Sequence, residues 1–190
     1  MPHNEATRAS HWVDNYADAL FSYAVARVGD RETARDLVQE TFLSALQNLG
    51  SFRGESSEKT WLFAIIKNKI VDHFRRTTAD VRWTPLTDDA HELDRYFDEE
   101  GEWNESEGPS DWSSNPHQTY RSGEFQAVLK RCLATLTTQG RALFTLRYFE
   151  ELESEEICKE LAISPSNYWV IMHRAKLVLR RCIERNWLWA

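Results

Sequence analysis

Apolar positions recur along most of this chain three or four residues apart, the spacing that gathers side chains on one face of a helix. From Val13 to Arg27, the residues Tyr16, Leu20, Tyr23, Ala24 and Arg27 follow it and predict a first helix. Gly29-Asp30 then reads as a stop and a restart. Glycine ends a helix without steric cost, and an aspartate side chain can accept from the open N–H groups of the next one. A second helix, about Arg31 to Leu49, keeps a period of about 3.6 residues through Leu37, Val38, Thr41, Phe42, Ala45, Leu46 and Leu49. Gly50 to Ser57 reads as a loop, with Ser56 or Ser57 capping a third helix from Glu58 to Arg76. Leu62, Ile65, Ile66 and Ile70 form the apolar face of that helix.

Helical periodicity fails at residues 80–123 and returns at Glu124. In the later part, Val128, Leu129, Cys132, Leu133 and Leu136 share a face, and Thr137-Thr138 can cap a helix from Gln139 to Phe149. Ser154 can cap a short helix to Leu161. Ser164-Pro165 starts the last helix, with a hydroxyl as cap and a proline where no N–H is needed. No stretch alternates with period two well enough to predict a strand. The expected fold class is therefore all-α: two small helical domains, 1–79 and 124–190, joined by a linker over 80–123.

Charge sharpens that division. The 190 residues carry a net charge of −7, which on its face argues against a nucleic-acid partner. Residues 1–79, however, hold ten basic and ten acidic side chains, and residues 124–190 hold ten and eight. The linker has three basic against twelve acidic side chains, net −9. Pro85, Pro109 and Pro116 punctuate it, so it reads as mostly extended. The aromatics Tyr96, Phe97, Trp103, Trp112 and Tyr120 are unusual in a plain spacer and suggest that it docks on something, its own modules included.

Several classes are excluded or disfavoured. No apolar run approaches the roughly 20 residues of a membrane span, and the N-terminus lacks the apolar core of a signal peptide. Neither a Ser/His/Asp combination nor an HExxH motif points to catalysis, so no enzyme and no cofactor is expected. Cys132, Cys158 and Cys182 form no CxxC pair. They read as free core cysteines in a reducing cytosol; a metal or redox site from Cys158, Cys182 and His173 is the weaker alternative, because it lacks zinc-type spacing.

The candidate chemistry lies on two helices. Ala162-Ile163-Ser164 joins two helices in the manner of a helix-turn-helix, whose second helix enters the major groove. Basic residues cluster along that helix at Arg174, Lys176, Arg180, Arg181 and Arg185. On the third helix, Asn68 and Asp72 lie one turn apart, flanked by Lys67, Lys69, Arg75 and Arg76. An Asn can bond a base edge, and cations hold phosphates.

The run Asp36-Leu37-Val38-Gln39-Glu40-Thr41-Phe42-Leu43-Ser44-Ala45-Leu46, then Phe52-Arg53-Gly54, then Thr60 through Arg76, resembles conserved region 2 of the extracytoplasmic-function (ECF) sigma factors of bacterial RNA polymerase. Phe144-Thr145-Leu146-Arg147-Tyr148-Phe149-Glu150, Glu155-Glu156-Ile157 and His173-Arg174-Ala175-Lys176 resemble their region 4. The resemblance spans nearly the whole chain, in order and spacing.

It implies a three- to four-helix region 2 bundle and a helix-turn-helix region 4 that direct core polymerase to a promoter set in the cytoplasm. Asp36, Gln39 and Glu40 would bind the clamp coiled coil, and the polymerase flap is a further implied contact. Lys59, Trp61, Lys67, Asn68, Asp72, Arg75 and Arg76 would melt and hold the −10 element, with Trp61 equally readable as core. Ser166, Asn167, Trp169, Val170, His173, Arg174 and Lys176 would meet the −35 element. This stretch has fewer cations than many relatives carry, and Trp169 could instead contact protein. The acidic linker would occupy a basic channel meant for RNA through Glu99, Glu100, Glu102, Glu105 and Glu107. An anti-sigma factor is the implied silencer. The alternative is a self-sufficient helix-turn-helix regulator whose first module binds a partner or dimerises.

Overall fold

Three long helices and one short turn build the first unit of the computed structural model, which describes residues 2–52, 54–79, 95–98, 103–104, 107–108 and 123–188. Helix α1 spans Pro2–Val28, starting well before the apolar stripe begins. Alanine and glutamate are strong helix formers, and proline is tolerated in a first turn. Gly29 ends α1 at a φ of 77°, a left-handed conformation that glycine adopts without strain. Asp30 caps α2 (Arg31–Gln47) by accepting from the Thr33 N–H at 2.7 Å. A 3-10 turn, Leu49–Ser51, follows. Ser57 accepts from the Thr60 N–H at 3.1 Å and caps α3, Glu58–Ala79.

The core of this unit follows the predicted stripes. Leu62, Ile66 and Ile70 on α3 are fully buried, as are Leu20 and Ala24 on α1 and Ala34 and Ala45 on α2. Each buried Leu or Ile contributes about 1.5–3 kcal/mol relative to an exposed one. Thr41 is also fully buried and donates its hydroxyl to the Leu37 carbonyl at 2.7 Å, so its polar atom carries no desolvation penalty.

The second unit comprises residues 77–190. Among the described residues its helices are α4 (Gly123–Ala134), α5 (Thr138–Tyr148), α6 (Ser154–Leu161) and α7 (Pro165–Ile183), and a π-helical turn, Glu184–Leu188, continues α7. Thr137 caps α5 through the Gly140 N–H. A Cβ at Gly140 would crowd the capping Thr137 hydroxyl at 3.2 Å and meet Ala175 of α7 only at ordinary contact. The cap of α6 is Glu153 rather than the expected Ser154. Glu153 and Glu156 form a capping box, in which the longer side chains satisfy the open N–H groups at both ends of the turn. Ala162, left-handed at φ 53°, turns the chain from α6 into α7, and Ser164 caps α7 as expected, with Pro165 at the first position.

Two expectations change in this unit. Cys132 and Cys182 are joined in a disulfide between α4 and α7, where the sequence pattern suggests free thiols. The packing of α4 against α7 brings the two sulfurs together, which spacing along the chain cannot reveal. Cys158 remains a free thiol, its pKa raised by burial and by Glu155.

The described connector residues are the second departure. Phe97 and Trp103 pair as an antiparallel bridge, and the Asn104 N–H donates to the Tyr96 carbonyl at 2.9 Å. Arg95 closes the loop on Glu107 with bonds of 2.9 and 3.1 Å. Glu99, Glu100, Glu102, Glu105, Trp112 and Tyr120 lie outside the described residues.

Candidate nucleic-acid interface

Helix α2 turns its buried stripe, Leu37, Val38 and Thr41, inward and so presents Asp36 and Gln39 to solvent. Glu40 lies at the edge of that polar face and pairs with Lys69 of α3 at 3.5 Å. Beside them, Val13, Ala17, Phe21, Val38, Gln39 and Phe42 line a groove of about 400 Å³ between α1 and α2. Val13 and Leu43 are exposed apolar side chains on the same two helices.

Helix α3 carries the second set. Asn68, Arg75 and Arg76 are exposed, while Lys67 and Asp72 are half-buried. Asp72 pairs with Arg75 one turn along the helix, so the acid is balanced within its own face. Lys59 is exposed, 5.9 Å from the centroid of the Phe63 ring. Trp61 is half-buried and has both of the characters read from sequence. Its ring meets Trp12 edge-on at 5.9 Å and Phe52 of the preceding loop at 5.0 Å, making an aromatic wall with one side open. Further along α3, half-buried His73 has its pKa lowered by desolvation and by the positive charge of Arg76, against smaller pulls from Glu40 and Asp30.

On α7 the cap places Ser166 in the open and Asn167 at its edge, and Trp169 keeps 40% of its surface exposed. His173, Arg174 and Lys176 are half-buried. Val170 departs from expectation: it is 9% exposed and belongs to the inward face with Ile171 and Met172, so it does not stand among the open residues. Tyr168 is also core, and burial pushes its hydroxyl up to about 12, keeping it neutral.

Sequence reasoning allowed the connector to dock on its own modules but named no contact for it on this helix. The Phe97 ring stacks on His173 with centroids 4.1 Å apart and planes 10° apart. Lys176 lies 5.5 Å from the Phe97 centroid, and the Arg180 guanidinium 5.4 Å from that of Trp103. Arg180 also donates to the Glu107 carbonyl and pairs with Glu184. The aromatics of the connector were a visible signal; their partner was not.

Among the described residues, no helix is long and apolar enough to cross a membrane. Residues 12–79 match the family Sigma-70 region 2, and residues 126–179 match Sigma-70, region 4. A probable RNA polymerase sigma factor of Haemophilus influenzae (strain Rd) is 38% identical over 88% of this chain and 85% of its own length. The RNA polymerase sigma factor YlaC of Bacillus subtilis is 32% identical over 90% of this chain and 89% of its own. A solved structure of the sigma factor RpoE in complex with the anti-sigma factor NepR, from Bartonella quintana, aligns over 92% of this chain and 96% of RpoE, at 20% identity and a TM-score of 0.45.

Proposed function

The chain belongs to the ECF-type RNA polymerase sigma factors, which direct the polymerase to specific promoters, and we propose that it divides this task between its two units. In this reading residues 1–79 bind the core enzyme and open the −10 element, and residues 124–190 dock on the −35 element. Asp36, Gln39 and Glu40 meet the polymerase clamp, and α7 is the duplex-reading helix, its unit also meeting the flap.

The observation that carries the reading is the separation of faces on α2 and α3. Asp36, Gln39, Asn68 and Arg76 stand in solvent on helices whose opposite faces are fully buried. These side chains are not used for packing, and their types match two tasks: acids for a basic partner, and an amide beside cations for nucleic acid. Unstacking a base costs a few kcal/mol, so strand opening needs a surface that binds the extruded base. Trp61 and Phe52, with buried Trp12 behind them, offer aromatic stacking, and Lys59, Lys67, Arg75 and Arg76 offer phosphate contacts. On α7, Asn167 can read adenine, and Ser166, Trp169, His173, Arg174 and Lys176 complete the contact. Val170 is left out because it is buried.

The exposed Val13 and Leu43, beside the groove that includes Gln39, offer an apolar surface that an anti-sigma protein would cover together with the polymerase-binding face. The working compartment in this reading is the cytoplasm, where promoter and polymerase are.

Transcription in vitro with purified bacterial core polymerase tests the assignment. Promoter-specific initiation that depends on the chain is expected, and start-site mapping then supplies both promoter elements. Failure to associate with core, together with tight sequence-specific duplex binding by the chain alone, would instead establish the self-sufficient regulator.

A further inference from the structure

We propose that the connector around Phe97–Glu107 is a built-in competitor of the upstream duplex, docked on α7 so that the free chain presents a masked reading face. The proposal rests on the assignment of α7 to the −35 element.

His173 lies one helical turn from Trp169, and their rings are 5.7 Å apart. The two side chains therefore belong to one strip of α7. Phe97 covers the His173 end of that strip with a parallel stack, and is itself only 4% exposed. While Phe97 covers this imidazole, a base edge in the groove cannot reach it. Lys176 and Arg180, the next cations along the helix, are turned toward the Phe97 and Trp103 rings, and Arg180 bonds a connector carbonyl. Cations so held are not directed at phosphates. The connector is also the acidic part of the sequence, net −9 over 80–123, the charge sign of the DNA it would replace.

The docking is built as a unit that can leave. Its internal bonds, Asn104 to Tyr96 and to the Arg95 carbonyl, and Arg95 to Glu107, are within the connector and survive release. Trp103 is only half-buried and borders an open pocket of about 220 Å³ with Leu129, Phe144, Leu179 and Ile183, so it is less enclosed than Phe97. Binding to a face that is open only part of the time is weakened by the open fraction. The free chain is thus a poor duplex binder, and any event that draws the connector away exposes α7.

The test uses the full chain and a fluorescein-labelled duplex carrying the −35 element obtained by start mapping, with a scrambled duplex as control. Phe97→Ala/Trp103→Ala is expected to bind the promoter duplex roughly tenfold or more tightly than wild type, with preference over the scrambled sequence. Adding Asn167→Ala should remove the gain. A double variant that retains its helical circular dichroism and binds no better than wild type overturns the mask. If Asn167→Ala still alters −35 use by holoenzyme, the assignment of α7 stands without the mask. If it alters nothing there, both fall. Hydrogen exchange on the wild-type chain covers the case of a variant that does not fold. Exchange at residues 95–104 should rise when saturating promoter duplex is added, and unchanged exchange during saturation overturns the proposal.

Discussion

Cys132 and Cys182, 50 positions apart, close a disulfide with their Cα atoms 5.6 Å apart. It ties α4 to the last turn of α7, within a cluster that includes Val128, Leu133 and Leu179. The bond therefore staples the helix proposed to read DNA to the helix that supports it from behind.

A cross-link closing a loop of this length restricts the unfolded chain strongly. Reduction, or Cys132→Ala/Cys182→Ala, should lower the stability of the second unit by about 2–4 kcal/mol. Urea unfolding followed with and without reductant measures this, and the first unit should show no change. Coincident curves for the second unit would mean that the staple adds nothing.

Asp36→Arg with Glu40→Arg should abolish binding to core polymerase and leave the fold intact. Asp36 is exposed, and Glu40 gives up one partly exposed pair with Lys69, a loss of at most about 1 kcal/mol. Size-exclusion co-elution with core, alongside a thermal melt, reads both halves. Retained co-elution would remove α2 from the polymerase contact.

Arg75→Ala and Arg76→Ala should each weaken promoter opening. Each should also reduce the salt dependence of DNA binding by about one unit of slope for every phosphate no longer neutralised. The Arg75 change also deprives Asp72 of its partner, so it should be the more damaging of the two. Holoenzyme titrations over a range of salt give the slopes. Slopes equal to wild type would place these cations away from the backbone.

His73 gives the first unit an acid-side weakness. Its native pKa lies below the ordinary 6.5, chiefly because burial disfavours the imidazolium. The unfolded chain then takes up the proton more readily than the native one. The stability from the neutral ring is complete above pH 6.5 and is lost as pH falls through the lower native value. His73→Gln should flatten the decline of the melting temperature over that window. A decline identical to wild type would assign it to other groups.

Much of the local structure is legible in the residues themselves. Gly29-Asp30, Ser57, Thr137 and Ser164-Pro165 act as helix punctuation at the positions their chemistry predicts, because a cap is satisfied within three residues of itself. The buried stripes of α2 and α3 follow from periodicity for the same reason. Glu153 in place of Ser154 is a near miss of this kind: two adjacent residues could each cap, and the capping box with Glu156 decides between them.

Sequence alone determined the all-α class, the ends of most helices, the acidic connector and the family, since each is written in short runs or in ordered motifs. Tertiary structure decided which faces meet. It joined Cys132 to Cys182, turned Val170 inward, paired Glu40 with Lys69, and laid Phe97 on His173. Periodicity says that a helix has an apolar face; it does not say which distant segment will cover it. That choice depends on the free energy of closing a long loop against the surface buried, and it exists only once the helices are packed.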